Sequence, residues 1–294
     1  MKEQLLFDNI IIENKKVVNV ASVPQRSPFR YPGGKTWFVP TFRKWIGSLD
    51  YKPKLLVEPF AGGGIITLTA ICEDLVESAI MVELDNEIAS VWKAVLSGKS
   101  NLLVDKILNF NMEYDNAKMI VENNPKSEIE KAFKTIVKNR VMHGGIITGG
   151  SGFLKHGEAG KGVKSRWYPE TLAKRIRVID SVRNKIKFLE TNAFDIIKEN
   201  LNDKKAVFFI DPPYTAGGKN AGKRLYTHHE VDHNFLFQLC SKIKGDFIMT
   251  YDNAEEVINI AEKYGFDYKS IPMKSTHHAQ MTELVIGNNL SWLD

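Results

Sequence analysis

The chemistry-bearing residues of this 294-residue chain gather in three short stretches. The most informative is AVFFIDPPY, residues 206–214, where five apolar residues run into Asp211, two prolines and Tyr214. Each proline fixes φ, and Asp211 and Pro212, each standing before a proline, are pushed towards extended backbone. Neither proline has an N–H to give. The turn therefore presents acceptors only, the Asp211 carboxylate and the Pro212 carbonyl, at the carboxyl end of a buried strand. Such a pair matches a planar aromatic NH2 group. That nitrogen is a poor nucleophile because its lone pair is delocalised. Acceptors on both hydrogens draw it towards tetrahedral geometry, then stabilise the positive charge that grows as an electrophilic methyl arrives. In-line positioning supplies much of the rest, with no metal and no covalent intermediate. Tyr214 offers a face on which a flat ring stacks. The plainer alternative is a surface turn, since Asp-Pro and Pro-Pro are ordinary turn formers.

The second stretch is VEPFAGGG, residues 57–64, which follows a short apolar run and opens a helical pattern. Its glycines let backbone approach a ligand closely, and the helix start offers unpaired N–H groups. The spacing is Phe60-x-Gly62-x-Gly64, not the G-x-G-x-x-G of dinucleotide binders. Asp85, about 20 residues on at the end of the next strand, is where a ribose hydroxyl is held in folds of this kind. The third stretch, SPFRYPGGKTWFVP, residues 27–40, carries GGKT like a phosphate-binding loop. Phe29 stands where that motif needs glycine, and no apolar strand leads in, which argues against a nucleoside triphosphatase. Gly34, between Tyr31 and Lys35, belongs instead to a loop able to lie against a bound cofactor.

These residues need elements to hold them. Short apolar runs at 54–58, 79–85, 186–190, 206–210 and 246–252 precede helical patterns or the proline turn, and 282–288 reads as a last strand. Strands alternating with helices predict parallel pairing covered on both faces, a doubly wound α/β domain. The alternation stops between residues 100 and 185, where the text is helical and charged and is broken by a glycine-rich stretch from Gly144 to Gly162 that reads as a loop or irregular hairpin. The expected organisation is a catalytic domain in two parts, 1–99 and 186–294, around an inserted subdomain, 100–185. An insert so long should have its own task.

Charge points to that task. The net charge is +5, yet the segment from Lys131 to Lys187 alone carries +11, a single-sign block that calls for a polyanion or a great deal of solvent. No apolar run is long enough to span a bilayer, and the acidic N-terminal stretch does not read as a secretory signal. Cys72 and Cys240 sit in apolar text, as buried thiols of a reducing cytosol, and no Cys/His set has zinc spacing. The expectation is a cytoplasmic protein with no metal and no membrane partner.

Tyr31-Pro-Gly-Gly-Lys35, Glu58-Pro-Phe-Ala-Gly-Gly-Gly64 and Asp211-Pro-Pro-Tyr214, in that order around a basic insert, resemble the Dam-like N6-adenine DNA methyltransferases. The resemblance covers the whole catalytic domain. It implies a Rossmann-like methyltransferase sheet, mostly parallel with an antiparallel last strand, plus an inserted, mainly helical DNA-recognition subdomain. It also implies S-adenosylmethionine as donor and an adenine flipped out of double-stranded DNA as acceptor. By this likeness Tyr31 lies beside the cofactor and Lys35 near the active site; Glu58, Phe60 and Gly62 contact the methionine end, and Asp85 holds the ribose. Where the family carries Gly-Asp-aromatic, this chain has Asn192-Ala193-Phe194, so only the aromatic, Phe194, is kept. The insert does not resemble the hairpin of GATC-specific enzymes, and their target is not carried over.

Flipping a base costs a few kcal/mol, to be offset by phosphate contacts. Lys134, Lys138, Arg140, Lys164, Arg166 and Lys174 are the candidates, and Arg140, His143 and Arg166 could reach base edges. Trp167 and Tyr168 read as packing residues before base wedges. The basic loop 215–230 is expected to order over the flipped adenine when DNA binds, with the protein acting as a monomer. The same acceptor geometry would serve N4 of cytosine or an adenine in RNA. A catalytically silent DNA-binding protein is the rival from another class, and intact Asp211 and Tyr214 argue against it.

Overall fold

The computed structural model describes residues 20–147, 151–157, 160–214, 231–274 and 280–293; the loop 215–230 lies outside them. The strands are β1 (Leu55–Glu58), β2 (Ser78–Val82), β3 (Ile186–Leu189), β4 (Ala206–Ile210), β5 (Asp246–Asp252), β6 (Asp267–Lys274) and β7 (Gln280–Gly287). They form one sheet in the order β3-β2-β1-β4-β5-β7-β6. The first five strands pair in parallel, while β7 runs antiparallel between β5 and β6. The mostly parallel sheet with an antiparallel last strand is therefore present.

Alternation along the central strands assigns the two faces. Leu56, Met81, Val207, Phe209, Ile248 and Val285 pack on one side; Val57, Val82, Phe208, Ile210, Met249 and Leu284 pack on the other. Because β4 lies between β1 and β5 with both faces covered, all five of its residues are buried. Each such apolar side chain contributes roughly 1.5–3 kcal/mol of transfer free energy.

The first face is covered by α1 (Val39–Ser48), α2 (Ile65–Cys72) and α3 (Asn86–Leu96), and the second by α8 (Ala193–Asn200), α9 (His233–Cys240) and α10 (Glu255–Tyr264). Between α3 and β3 come α4 (Ser100–Leu108), α5 (Tyr114–Glu122), α6 (Glu128–Val141) and α7 (Pro169–Ser181). Leu103 of α4, Ile136 of α6 and Ile176 of α7 belong to the same continuous core as Leu56 and Phe209. The helices between α3 and β3 thus share the sheet's core.

Two elements depart from the sequence reading. β6 was not anticipated, because DYKSIPMK is mixed in polarity and contains Pro272. A proline is tolerated there since β6 is an edge strand. β2 ends at Val82, three residues before Asp85, so a different acid follows the strand.

The chain runs from β1 outward to β2 and β3, then returns to place β4 on the other side of β1. That reversal opens a crevice at the carboxyl ends of β1 and β4, the place where doubly wound sheets bind ligands.

Candidate active site

Asp211 follows β4 directly, with its side chain one-fifth exposed. It lines a cavity of about 890 Å³ that the glycine turn also lines. Asp211 Oδ1 accepts hydrogen bonds from the Tyr214 hydroxyl and from Thr250 Oγ1, both at 2.7 Å, and Lys35 Nζ stands 3.0 Å away. Lys35 is held in place by the short helical turn Lys35–Phe38, which starts after Gly34. Its ammonium also lies 3.4 Å from Glu283 Oε2, donates to the Gly33 carbonyl at 3.3 Å, and sits 4.9 Å above the centre of the Tyr214 ring. Burial pulls the Lys35 pKa down, but Asp211 and Glu283 outweigh it and hold the group above its usual value.

The Tyr214 hydroxyl lies 3.3 Å from Glu283 Oε2 as well. Its ring stacks on Tyr251 with centroids 5.8 Å apart, and the Tyr251 hydroxyl is 3.1 Å from His233 Nδ1. Burial first, then the charges of Asp211 and Glu283, keep Tyr214 protonated far above neutrality. Tyr214 therefore braces the carboxylate from behind. Pro213 lines the cavity, while Tyr214 and the buried Pro212 do not.

Opposite the proline turn, the glycine turn is built around Tyr31. A Cβ on Gly62 would meet Tyr31 Cε1 at 2.6 Å, and one on Gly64 would meet Met81 Cε at 2.5 Å. Both glycines also have positive φ, 47° and 62°. The Gly62 N–H donates to Glu83 Oε2 at 3.1 Å, and its carbonyl accepts from Trp92 Nε1 at 2.9 Å. Glu58, the last residue of β1, is buried and accepts from the Thr67 amide at 2.9 Å. Burial pushes its carboxyl up to about 8, against the pull of Thr67.

Asp85 lines the cavity, yet its Oδ1 is occupied in capping α3, accepting from the Glu87 and Ile88 amides at 2.8 and 3.2 Å. Glu83 is the acid that β2 delivers to the glycine turn, and burial raises its pKa to about 7. Phe194 lines the cavity too. Asn192, at the family's Gly-Asp-aromatic position, caps α8 by accepting from the Phe194 amide at 2.9 Å. Tyr31, Gly34, Lys35, Glu58, Phe60, Gly62 and Gly64 complete the predicted catalytic and cofactor-binding residues that meet at this cavity.

The basic candidates divide. Arg140 and Arg166 line the cavity, joined by Arg30 and Arg175. Arg140 is buried, gives a hydrogen bond to the Pro28 carbonyl at 2.7 Å, and is pulled down to about 9 by burial and by the other three arginines. Lys134, Lys138, His143, Lys164 and Lys174 do not line it. Lys134 donates to the Asn123 carbonyl at 2.7 Å, Lys138 pairs with Glu87 at 2.7 Å, and Lys164 pairs with Glu113. His143 and Lys174 are exposed. Trp167 packs edge-on against Phe110, whereas Tyr168 is 60% exposed at the cavity rim.

Sequence reasoning missed Glu83, Thr250, Glu283, Arg30 and Arg175. Two had a readable signal: Glu83 is the first polar residue after AIMV, and Glu283 is a single acid inside the apolar run of β7.

A family model described as the D12 class N6 adenine-specific DNA methyltransferases matches residues 31–276. No curated protein matches the chain. Among solved structures, a candidate RNA methyltransferase of Pyrococcus horikoshii is 12% identical, with 88% of this chain and 84% of that one covered and a TM-score of 0.38. An rRNA methylase of Streptococcus thermophilus is 8% identical over 85% and 95%, at 0.37. A SAM-dependent methyltransferase of Agrobacterium tumefaciens is 10% identical over 86% and 60%, at 0.39.

Proposed function

The chain belongs to the D12 class N6 adenine-specific DNA methyltransferases, and from that premise we propose that it methylates N6 of an adenine turned out of double-stranded DNA, with S-adenosylmethionine as donor. The observation that carries this reading is Asp211. Its carboxylate is braced on one oxygen by Tyr214, Thr250 and Lys35 and faces the same cavity as the glycine turn.

The residues present fit the cofactor. The turn packs so closely on Tyr31 that Gly62 and Gly63 have no room for a side chain, the buried Glu58 and half-buried Glu83 flank it, and Phe60, Ile88 and Phe194 add apolar wall. When bound, S-adenosylmethionine supplies an electrophilic methyl group on a sulfonium centre. Glu58 would meet its cationic amino group, which favours the ionised carboxylate that burial alone disfavours. Glu83 and Asp85, both on the cavity wall, are the acids within reach of the ribose. Asp211, which lines the cavity, accepts a hydrogen of the adenine amine, which helps free the nitrogen lone pair and offsets the charge it acquires. The four arginines supply the counter-charge for phosphates beside the displaced base.

The test is labelled-methyl transfer from S-adenosylmethionine to duplex DNA of diverse sequence, with RNA transcripts in parallel. N6-methyladenine in DNA is the expected product, reduced roughly a hundredfold to a thousandfold by Asp211→Ala. Preferential labelling of transcripts, or of cytosine, reassigns the substrate. Equal absence of transfer by wild type and variant makes the protein a silent binder.

A further inference from the structure

The amine enters with two hydrogens and leaves with one, so a proton must go somewhere. Resting on the methyl-transfer reading, we propose that Glu283 receives this proton, handed on from Asp211 through the Tyr214 hydroxyl and the Lys35 ammonium. The nitrogen lone pair forms the new C–N bond, and the S–CH3 electron pair stays with a neutral thioether. The nitrogen is then positive until one N–H proton passes to Asp211.

A protonated Asp211 has lost the charge that prepares the next amine, so it has to be cleared. Two donors touch both carboxylates. Tyr214 lies 2.7 Å from Asp211 and 3.3 Å from Glu283; Lys35 lies 3.0 Å from Asp211 and 3.4 Å from Glu283. Either one gives a hydrogen to Glu283 as it takes one from Asp211 and ends unchanged. The net step converts protonated Asp211 and ionised Glu283 into ionised Asp211 and protonated Glu283.

Charge favours this resting place. Two carboxylates share one ammonium in a site where Lys35 is 4% and Glu283 8% exposed. With both acids ionised the cluster is negative; with one proton added it is neutral, the state that burial prefers. The groups around Glu283 are Lys35, Asp211 and Tyr214, with Asp252 opposite on β5 and Ile271 on β6. Burial, opposed by Lys35 and assisted by Asp211, raises Glu283 to about 7. It is thus ionised often enough to accept at neutral pH and releases the proton readily afterwards. Glu283 acts through its neighbours, as a positioning residue for the proton.

Glu283→Gln tests this, because the amide keeps the shape and loses the titration. In infrared titrations without cofactor or DNA, the bands of Glu58 and Glu83 are common to both proteins, and the wild-type-minus-variant difference should hold a carboxylic-acid C=O band that disappears near pH 7; a difference without such a band overturns the inference. In repeated turnovers with S-adenosylmethionine and DNA in excess, the wild-type rate should fall as pH drops through about 7. The variant should lose that acid limb and run about tenfold to a hundredfold slower on its plateau. A slower variant with the limb retained means mere mechanical support, and overturns it.

Should the variant fail to fold, wild type alone decides with a pH-indicator dye. Proton release lagging behind methyl transfer supports storage on the protein, and synchronous release refutes it. No methyl transfer by wild type removes the parent reading. Normal transfer with an unchanged variant profile removes only this inference.

Discussion

Glu58, Glu83 and Glu283 have in common a buried carboxyl whose pKa burial raises, to about 8, 7 and 7 from 4.5. A folded state that keeps protons the unfolded chain has already released loses stability as pH rises between those two values, by roughly 1.4 kcal/mol per unit and group. The ligand-free protein should therefore show its urea midpoint falling from about pH 5 to about pH 8. Glu58→Gln should flatten that fall and be more stable than wild type at pH 8, while binding S-adenosylmethionine more weakly. A slope that the substitution leaves unchanged would show that Glu58 is not among the residues responsible. Glu58 was legible in the sequence because it ends an apolar run beside glycines. Its protonation was not, because depth of burial depends on α2 closing over it.

At the scale of elements, the site is a meeting of two turns and one loop. The proline turn is stiff by its own chemistry, whereas the glycine turn depends on Tyr31, whose ring occupies the space that a side chain at Gly62 would need. Gly62→Ala should push Tyr31 away and strain a positive φ. We expect at least a tenfold loss of cofactor affinity by calorimetry, with stability lowered by only about 1 kcal/mol. Unaltered affinity would mean that the cofactor does not rest on this turn. Asp85 and Asn192 stand where cofactor contacts are expected, yet each spends a side-chain oxygen on starting a helix. The signals for an N-cap and for a ligand-binding acid at a strand end coincide at Asp85, and Glu83 joins it on the cavity wall because β2 stops at Val82.

Over the whole molecule, the +11 segment splits between inner and outer roles. Lys138 and Lys164 are taken by acids of α3 and of the chain before α5, whereas Arg140 and Arg175 line the cavity, and among the described residues neither forms a salt bridge. Replacing both by methionine should leave the ligand-free fold intact, since an apolar chain fills the same space without a desolvated charge. DNA binding should weaken, and the slope of log K against log salt should become shallower by about 2. An unchanged slope would place the DNA elsewhere. The positive charge was countable in the sequence; which cations face the cavity was not, because helix packing chooses among them.

The sequence by itself determined the α/β rhythm, the stiff acceptor-only turn at Asp211, the glycine turn and the family likeness, since each depends on neighbours within a few residues. Tertiary structure alone decided that Lys35, Asp211, Thr250 and Glu283 share one buried cluster. Those residues lie far apart in the chain, and β7 inserting antiparallel between β5 and β6 is what carries Glu283 to the others. Local chemistry is written in adjacent residues, whereas a charge network depends on which strands become neighbours.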